Sequence, residues 1–61
     1  MNTREIKVCI EKEPALYNEL FSAMVECREY DGCHVLQYSE YCNGEGWMIG
    51  EFMLREAGDC L

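Results

Sequence analysis

Residues 3–28 read TREIKVCIEKEPALYNELFSAMVECR, and the spacing of their apolar side chains changes part-way along. In residues 3–11 apolar and polar side chains alternate, which is typical of a β-strand with one buried face. From Pro14 onward the apolar side chains recur three or four residues apart, which indicates an amphipathic helix. A strand followed directly by a helix is therefore predicted. The buried side of the strand would consist of Ile6, Val8 and Ile10.

The predicted helix has signals at both ends. Proline is favoured at the first helical position, so the helix is predicted to begin at Pro14, where the charge of Glu13 suits its N-terminus. It is predicted to continue until Arg28 lies in its last turn, because Asp31 and Gly32 then supply a stop signal. The buried stripe would consist of Leu16, Tyr17, Leu20, Phe21, Met24 and Cys27.

The second half of the chain predicts a β-hairpin. Residues 33–41 look extended, Asn43-Gly44 is a strong turn signal, and residues 47–55 are a candidate return strand. A two-residue loop would mix apolar and charged side chains on both faces, so a three-residue loop at residues 43–45 is preferred. This register pairs Leu36, His34 and Tyr38 with Phe52, Leu54 and Gly50 on the helix side, and Val35, Gln37 and Tyr41 with Met53, Glu51 and Trp47 on the open side.

These elements predict a single small α+β domain of residues 1–61, in the order β-α-β-β, with one amphipathic helix packed on a three-stranded sheet. The helical crossover would make the first two strands parallel, on either side of an antiparallel third strand. An alternative concerns residues 51–57, which are rich in good helix formers and precede Gly58 in a capping position. A short C-terminal helix would then replace part of the last strand.

The charge balance is strongly acidic. The 61 residues contain 12 Asp and Glu against 5 Lys and Arg, which gives a formal net charge of -7. Such a surface repels phosphate groups, so neither nucleic acid nor an anionic membrane is expected as a direct partner. A protein with a basic surface is the expected partner instead.

No targeting or membrane-spanning segment is expected. The first residues are charged, no apolar run follows them, and every apolar stretch is too short to cross a bilayer. A cytoplasmic location is the resulting expectation, with reduced and mostly buried cysteines. Disulfides would require an oxidising compartment and would leave one thiol over, because the number of cysteines is odd. The cysteines are Cys9, Cys27, Cys33, Cys42 and Cys60.

Catalytic and metal-binding signals are weak. Adjacent residues of a strand point to opposite faces, so Cys33 and His34 make a poor nucleophile–base pair. Glu26 and Glu29 would be neighbours on the exposed helix face, where neither carboxylate is desolvated. We therefore expect no enzyme and no cofactor. The alternative is a small metal-binding module, whose ligands Cys27, Cys33, His34 and Cys42 lack the usual spacing of zinc ligands.

Two surfaces are candidates for binding another protein. The first is a row of acids along the helix and its end, spaced much like the phosphates of a nucleic-acid strand. The second is an apolar patch on the open side of the sheet, where Tyr41 and Trp47 would lie beside Val35, Ile49 and Met53. In the alternative, Trp47 belongs to the core. The predicted interaction residues are Glu19, Glu26, Glu29, Asp31, Tyr41, Glu45, Trp47 and Glu51.

Together these features favour a non-enzymatic interaction protein. The acidic row would act as a nucleic-acid mimic in the basic groove of a nucleic-acid-handling protein, and the aromatic patch would bind a protein or form a homodimer. An inhibitor or accessory factor fits this size and charge, and a phage or mobile element would be a natural setting. The alternative is that the net charge serves only solubility.

Overall fold

A computed structural model describes residues 3–59, and the last strand in this part of the chain continues to Glu56. The alternative of a C-terminal helix is therefore reduced to one 3₁₀ turn.

Pro14 is the first residue of the helix, as predicted. Within the described residues no helix has the length and hydrophobicity needed to cross a membrane. The elements are β1 (Thr3–Cys9), α1 (Pro14–Val25), β2 (Glu29–Tyr30), β3 (Cys33–Cys42), β4 (Met48–Glu56) and the 3₁₀ turn (Ala57–Asp59).

The strands form one antiparallel sheet in the order β1-β4-β3-β2. Because β4 lies between β1 and β3, those two strands run parallel to each other, as the helical crossover predicted. The small α+β architecture, with α1 packed on the sheet, is confirmed. The two-residue strand β2 was not predicted, and it turns the expected three-stranded sheet into a four-stranded one.

The core lies between α1 and one face of the sheet. Val8, Leu20, Phe52 and Leu54 have no exposed surface, and burial of each such side chain contributes about 1.5–3 kcal/mol. These residues were predicted to face one another. The ring of Tyr38 packs on Phe52, with 4.8 Å between the ring centroids. An aromatic cluster on this side of the sheet consists of Tyr17, Phe21, Tyr38 and Phe52.

The helix ends at Val25, before Arg28 is reached, so its predicted end was wrong. Cys27 has a left-handed backbone with a φ of 56°, in which a right-handed helix cannot continue. The N–H of Arg28 donates to the carbonyl of Ala23 at 2.8 Å, and the N–H of Cys27 donates to Met24 at 3.3 Å. These are the hydrogen bonds of a Schellman motif. Cys27 is consequently exposed and is not part of the buried stripe.

Asp31 and Gly32 form a hairpin turn and do not terminate the helix. Their φ angles are 51° and 75°, and a positive φ at both central residues identifies a type I′ turn between two strands. The turn joins β2 to β3, and Tyr30 pairs with Cys33 across it. Glu29, which was predicted on the helix, therefore lies in β2.

The loop between β3 and β4 lies one residue later than predicted. The N–H of Asn43 donates to the carbonyl of Trp47 at 2.9 Å, and Gly46 takes the left-handed position with a φ of 88°. A three-residue loop was predicted, but it was placed at residues 43–45, so the predicted register was wrong. Moving the loop by one residue changes each β3–β4 partner by two residues, so the side chains in this part of β3 keep their face of the sheet. Tyr38 therefore stays on the helix side and lies opposite Phe52.

A β-bulge interrupts β3 at Leu36. Val35 pairs with Leu54 and Gln37 pairs with Met53, so Leu36 is the extra residue between them. Because of this extra residue, the side chains of β3 that precede Leu36 lie on the opposite face of the sheet from the one predicted. Val35, predicted on the open side, packs against the core, whereas Leu36, predicted to face the helix, is 51% exposed. Both predictions were wrong because simple alternation cannot represent an extra residue.

Candidate functional site

A groove with several carboxylates lies beside the end of α1. Its volume is about 440 Å³, and Glu19, Arg28, Glu29, Tyr30 and Asp31 line it. We call these residues the acidic groove. Glu19, Glu29 and Asp31 belong to the predicted acidic row, and all three side chains are exposed. The structure therefore brings these three predicted interaction residues to one surface.

Two tight turns build the acidic groove. The Schellman motif at Cys27 ends α1 and brings the short strand β2 against it. The type I′ turn then places Asp31 at the tip between β2 and β3. Glu19 comes from the exposed side of α1, and Glu29 comes from β2. Carboxylates from a helix, a strand and a turn consequently share the groove.

Cations near the groove neutralise part of its charge. The guanidinium of Arg4 donates to Asp31 Oδ2 at 2.8 Å, and Arg28 Nε donates to Glu26 Oε1 at 2.5 Å. The hydrogen bond to Asp31 raises the pKa of Arg4 above its ordinary value. Both ion pairs are exposed, and exposed pairs add little to stability.

The uncompensated charge of the acidic groove therefore rests on Glu19 and Glu29. In the described part of the chain, neither carboxylate takes part in a salt bridge. The predicted row with helical spacing is not formed, because α1 ends at Val25 and Glu29 lies on a strand. The acidic surface is present, but its spacing does not follow one helix face.

Other predicted interaction residues lie at the opposite end of β3. Glu45 is exposed in the β3–β4 loop, and Trp47 in the same loop is half-buried. The ammonium group of Lys12 lies 4.6 Å from the centroid of the Trp47 ring. The 10 residues of β3 separate this loop from Asp31 by about 30 Å. Glu45 and Trp47 are therefore distant from the acidic groove.

The predicted aromatic patch is only partly assembled. Tyr41 is 42% exposed and pairs with Ile49, whereas Trp47 lies in the loop, so the two aromatic side chains are not opposite each other. Val35 packs against the core on the other face of the sheet. Tyr41, Ile49 and Met53 stay on the open side, so the patch loses Val35 and the direct pairing of Tyr41 with Trp47.

Glu51 is an acid that is already paired. Its Oε2 lies 3.7 Å from the ammonium nitrogen of Lys7, and its Oε1 accepts a hydrogen bond of 3.3 Å from the Ser39 hydroxyl. The side chain is half-buried between the neighbouring strands. Glu51 therefore carries less uncompensated charge than Glu19 and Glu29 of the acidic groove.

The cysteines and His34 do not converge. Cys33 is buried on the helix side of β3, and His34, predicted on that side, faces the other way because of the bulge. Cys42 lies at the far end of β3, and Cys27 is exposed beside α1. In the described part of the chain, no group of His, Cys, Asp or Glu is arranged to hold a metal ion. Cys60 lies outside the described residues.

The sequence did not predict a hydrogen-bonded group of two tyrosines and a glutamate. The Tyr38 hydroxyl donates to the Glu40 carboxylate and lies 3.3 Å from the Tyr17 hydroxyl. Burial, together with the hydrogen bond to Glu40, raises the pKa of Tyr38 well above its ordinary value. The phenol is thereby kept protonated and acts as a donor. The sequence feature that points to this group is the two-residue spacing of Tyr38 and Glu40, which places both side chains on one face of the strand.

Comparisons with known proteins identify no family for this chain. No protein-family model matches it, no curated protein matches it, and no solved structure matches it.

Proposed function

We propose that this protein is a non-enzymatic interaction module that binds a basic surface of another protein through the acidic groove. The position of Glu19 and Glu29 is the observation that carries this proposal. Both carboxylates are exposed, both line one groove, and no salt bridge in the described part of the chain neutralises them. Lysine or arginine side chains of a partner would supply the missing positive charge.

The rest of the groove supports a protein partner. Tyr30 is half-buried in its wall, and tyrosine offers both apolar area and a hydroxyl to an interface. Arg28 is held by Glu26, so its charge is already neutralised within the chain. The formal net charge of -7 would also speed the encounter with a basic partner through long-range attraction.

A nucleic-acid-handling protein is the class of partner that this chemistry favours. Such proteins expose clusters of lysine and arginine that neutralise phosphates. An acidic protein that covers the same cluster would compete with the nucleic acid, which is how an inhibitor or accessory factor would act. The support for this reading is the free charge in the groove, because the regular spacing of a phosphate row is not present.

The first experiment identifies the partner and tests the electrostatic basis of binding. The full chain is immobilised and exposed at low salt to an extract of the cells that produce it, and bound proteins are eluted with a salt gradient. We expect a basic protein whose retention falls steeply with salt and which added duplex DNA displaces. Retention that does not depend on salt would contradict the proposal.

A pair of matched variants then tests the groove itself. Glu19→Gln with Glu29→Gln should weaken binding of that partner several-fold. The control is Glu11→Gln with Glu13→Gln, which changes the net charge equally just before the first turn of α1, with Glu13 about 9 Å from Glu19 along the helix. In the described residues the Glu13 side chain does not cap α1, so the control should fold normally. Equal losses in both variants would show that net charge alone matters, and would overturn the assignment of the groove.

A further inference from the structure

The strand β1 leaves one of its edges unpaired. It pairs with β4, and no strand of residues 3–59 lies on its other side. The N–H of Ile10 donates to the carbonyl of Met48 at 3.1 Å, which continues the β1–β4 register. Directly bonded pairs alternate along an antiparallel ladder, so the residues at odd positions of β1 direct their main-chain groups away from β4. These residues are Thr3, Glu5, Lys7 and Cys9.

The charges on β1 favour one register for pairing with a second copy of the same strand. With Ile6 opposite Ile6 of the second copy, Glu5 lies opposite Lys7 of the other strand, and symmetry repeats this pair. The main-chain groups of Glu5 and Lys7 also point away from β4. The register that pairs their opposite charges is therefore also one in which their main chains can form hydrogen bonds between the two copies. A shift of two residues in either direction would instead place Glu5 opposite Glu5 or Lys7 opposite Lys7, which is repulsive.

We propose that two copies of this chain pair antiparallel along β1, with a two-fold axis at Ile6, so that their sheets join into one. The interface is isologous, because the same strand is used by both copies. Each copy supplies Glu5 to the Lys7 ammonium of the other. On the helix side of the sheet the two Ile6 side chains, each half-buried in one copy, meet at the axis and lose exposed surface.

The charge distribution explains why an acidic protein would associate at this strand. β1 carries Arg4, Glu5 and Lys7, which is one positive charge in excess, whereas the whole chain has a formal net charge of -7. Two copies that meet along β1 therefore bring together the part of the surface that is not acidic.

Lysine on an edge strand usually discourages pairing, because a partner strand leaves its charge unmatched. In the proposed register Lys7 meets Glu5 of the second copy, so the same lysine selects one alignment and opposes the others. The part of β3 that β2 does not cover is a second unpaired edge, but it offers no comparable pairing of opposite charges. It contains the bulge at Leu36, and a bulge interrupts the regular ladder that a second strand would need.

Charge reversal provides the test, with mass measured by sedimentation of the full chain up to about 1 mM, the range of weak association. We expect a concentration-dependent dimer. Glu5→Lys alone places two ammonium groups opposite each other, and Lys7→Glu alone places two carboxylates opposite each other, so each variant should be monomeric at concentrations where the original chain is a dimer. An equimolar mixture of the two variants should form a heterodimer, since every opposed pair is then complementary.

Two controls keep this test independent of folding. Glu5 pairs with Met53 in its own sheet, so Glu5→Lys breaks no salt bridge of the described residues. Lys7→Glu removes the contact with Glu51, and circular dichroism would report any loss of fold. Should that variant unfold, Glu5→Gln gives the second comparison, because it keeps the contact of Lys7 with Glu51 and should weaken the dimer less than Glu5→Lys does.

Several outcomes would overturn the proposal. A chain that is monomeric at every concentration has no such interface. A dimer that neither reversal weakens uses another surface, such as the open face around Tyr41 and Ile49. These outcomes leave the proposed function intact, because Glu19 and Glu29 lie outside β1 and their test measures a different partner.

Discussion

The ring of Tyr38 covers the backbone of Gly50. Its Cε1 lies 3.3 Å from the position that a Cβ on Gly50 would take, and two ring carbons of Tyr17 lie at the same distance. Tyr38 is opposite Phe52 in the sheet, so its ring reaches diagonally along β4 to Gly50. The contact between Tyr38 and Gly50 was expected from the sequence, but in a different register.

Gly50→Ala should destabilise the fold. A methyl group at this position would be crowded by the two tyrosine rings, and overpacking of this kind costs about 1–3 kcal/mol. Urea denaturation should show a lower midpoint with an unchanged slope. Gly44→Ala is the matched control, because no described atom lies within 4 Å of its added Cβ. A variant at Gly50 as stable as the control would show that the rings move aside freely.

Tyr38→Phe should make stability less sensitive to alkaline pH. The folded chain raises the pKa of Tyr38, whereas the unfolded phenol loses its proton near pH ~10. The stabilising contribution is therefore complete below about pH 10 and is lost as the pH rises further. Denaturation at a series of pH values should show a shallower decline above about pH 10 in the variant.

The control for this prediction is Tyr41→Phe, since Tyr41 is 42% exposed. At neutral pH Tyr38→Phe should also lose about 1 kcal/mol, because the hydrogen bond to Glu40 is removed. The same alkaline decline in the original chain and the Tyr38 variant would exclude this phenol as its source.

Cys27→Gly should stabilise the chain by up to about 1 kcal/mol. A side chain in the left-handed conformation costs about 1–2 kcal/mol, and glycine avoids this cost but gains freedom when unfolded. Cys27→Val should have the opposite effect, because a β-branched side chain tolerates this conformation poorly. Thermal unfolding of the two variants beside the original chain gives the comparison, and equal midpoints would mean that the turn at Cys27 is not strained.

Local patterns in the sequence predicted much of this fold for identifiable reasons. The alternation in β1 and the helical spacing after Pro14 report one buried face in each element, and those faces meet at Val8 and Leu20. The order of β1, β4 and β3 followed from the helical crossover together with the hairpin. The end of α1 did not follow, because a non-glycine residue, Cys27, adopts the left-handed conformation there.

The candidate site was predictable in composition but not in arrangement. Glu19, Glu29 and Asp31 were chosen for their charge, and they do share one groove. Their arrangement depends on Asp31 and Gly32, a dipeptide that serves equally as a helix stop and as a type I′ turn. Only the packing of β2 beside β3 distinguishes these two uses, and a two-residue strand is too short to show a period.

Substitutions on either side of the bulge distinguish the observed register from the unbulged pairing. In the structure Val35 packs against the core and Leu36 is 51% exposed, whereas unbulged alternation would exchange their environments. Val35→Ala should therefore cost about 1–2 kcal/mol, and Leu36→Ala should stay within about 0.5 kcal/mol. Urea denaturation of both variants measures this difference. The reverse order of stability would mean that β3 pairs with β4 without an extra residue, and that Leu36 belongs to the core beside Phe52.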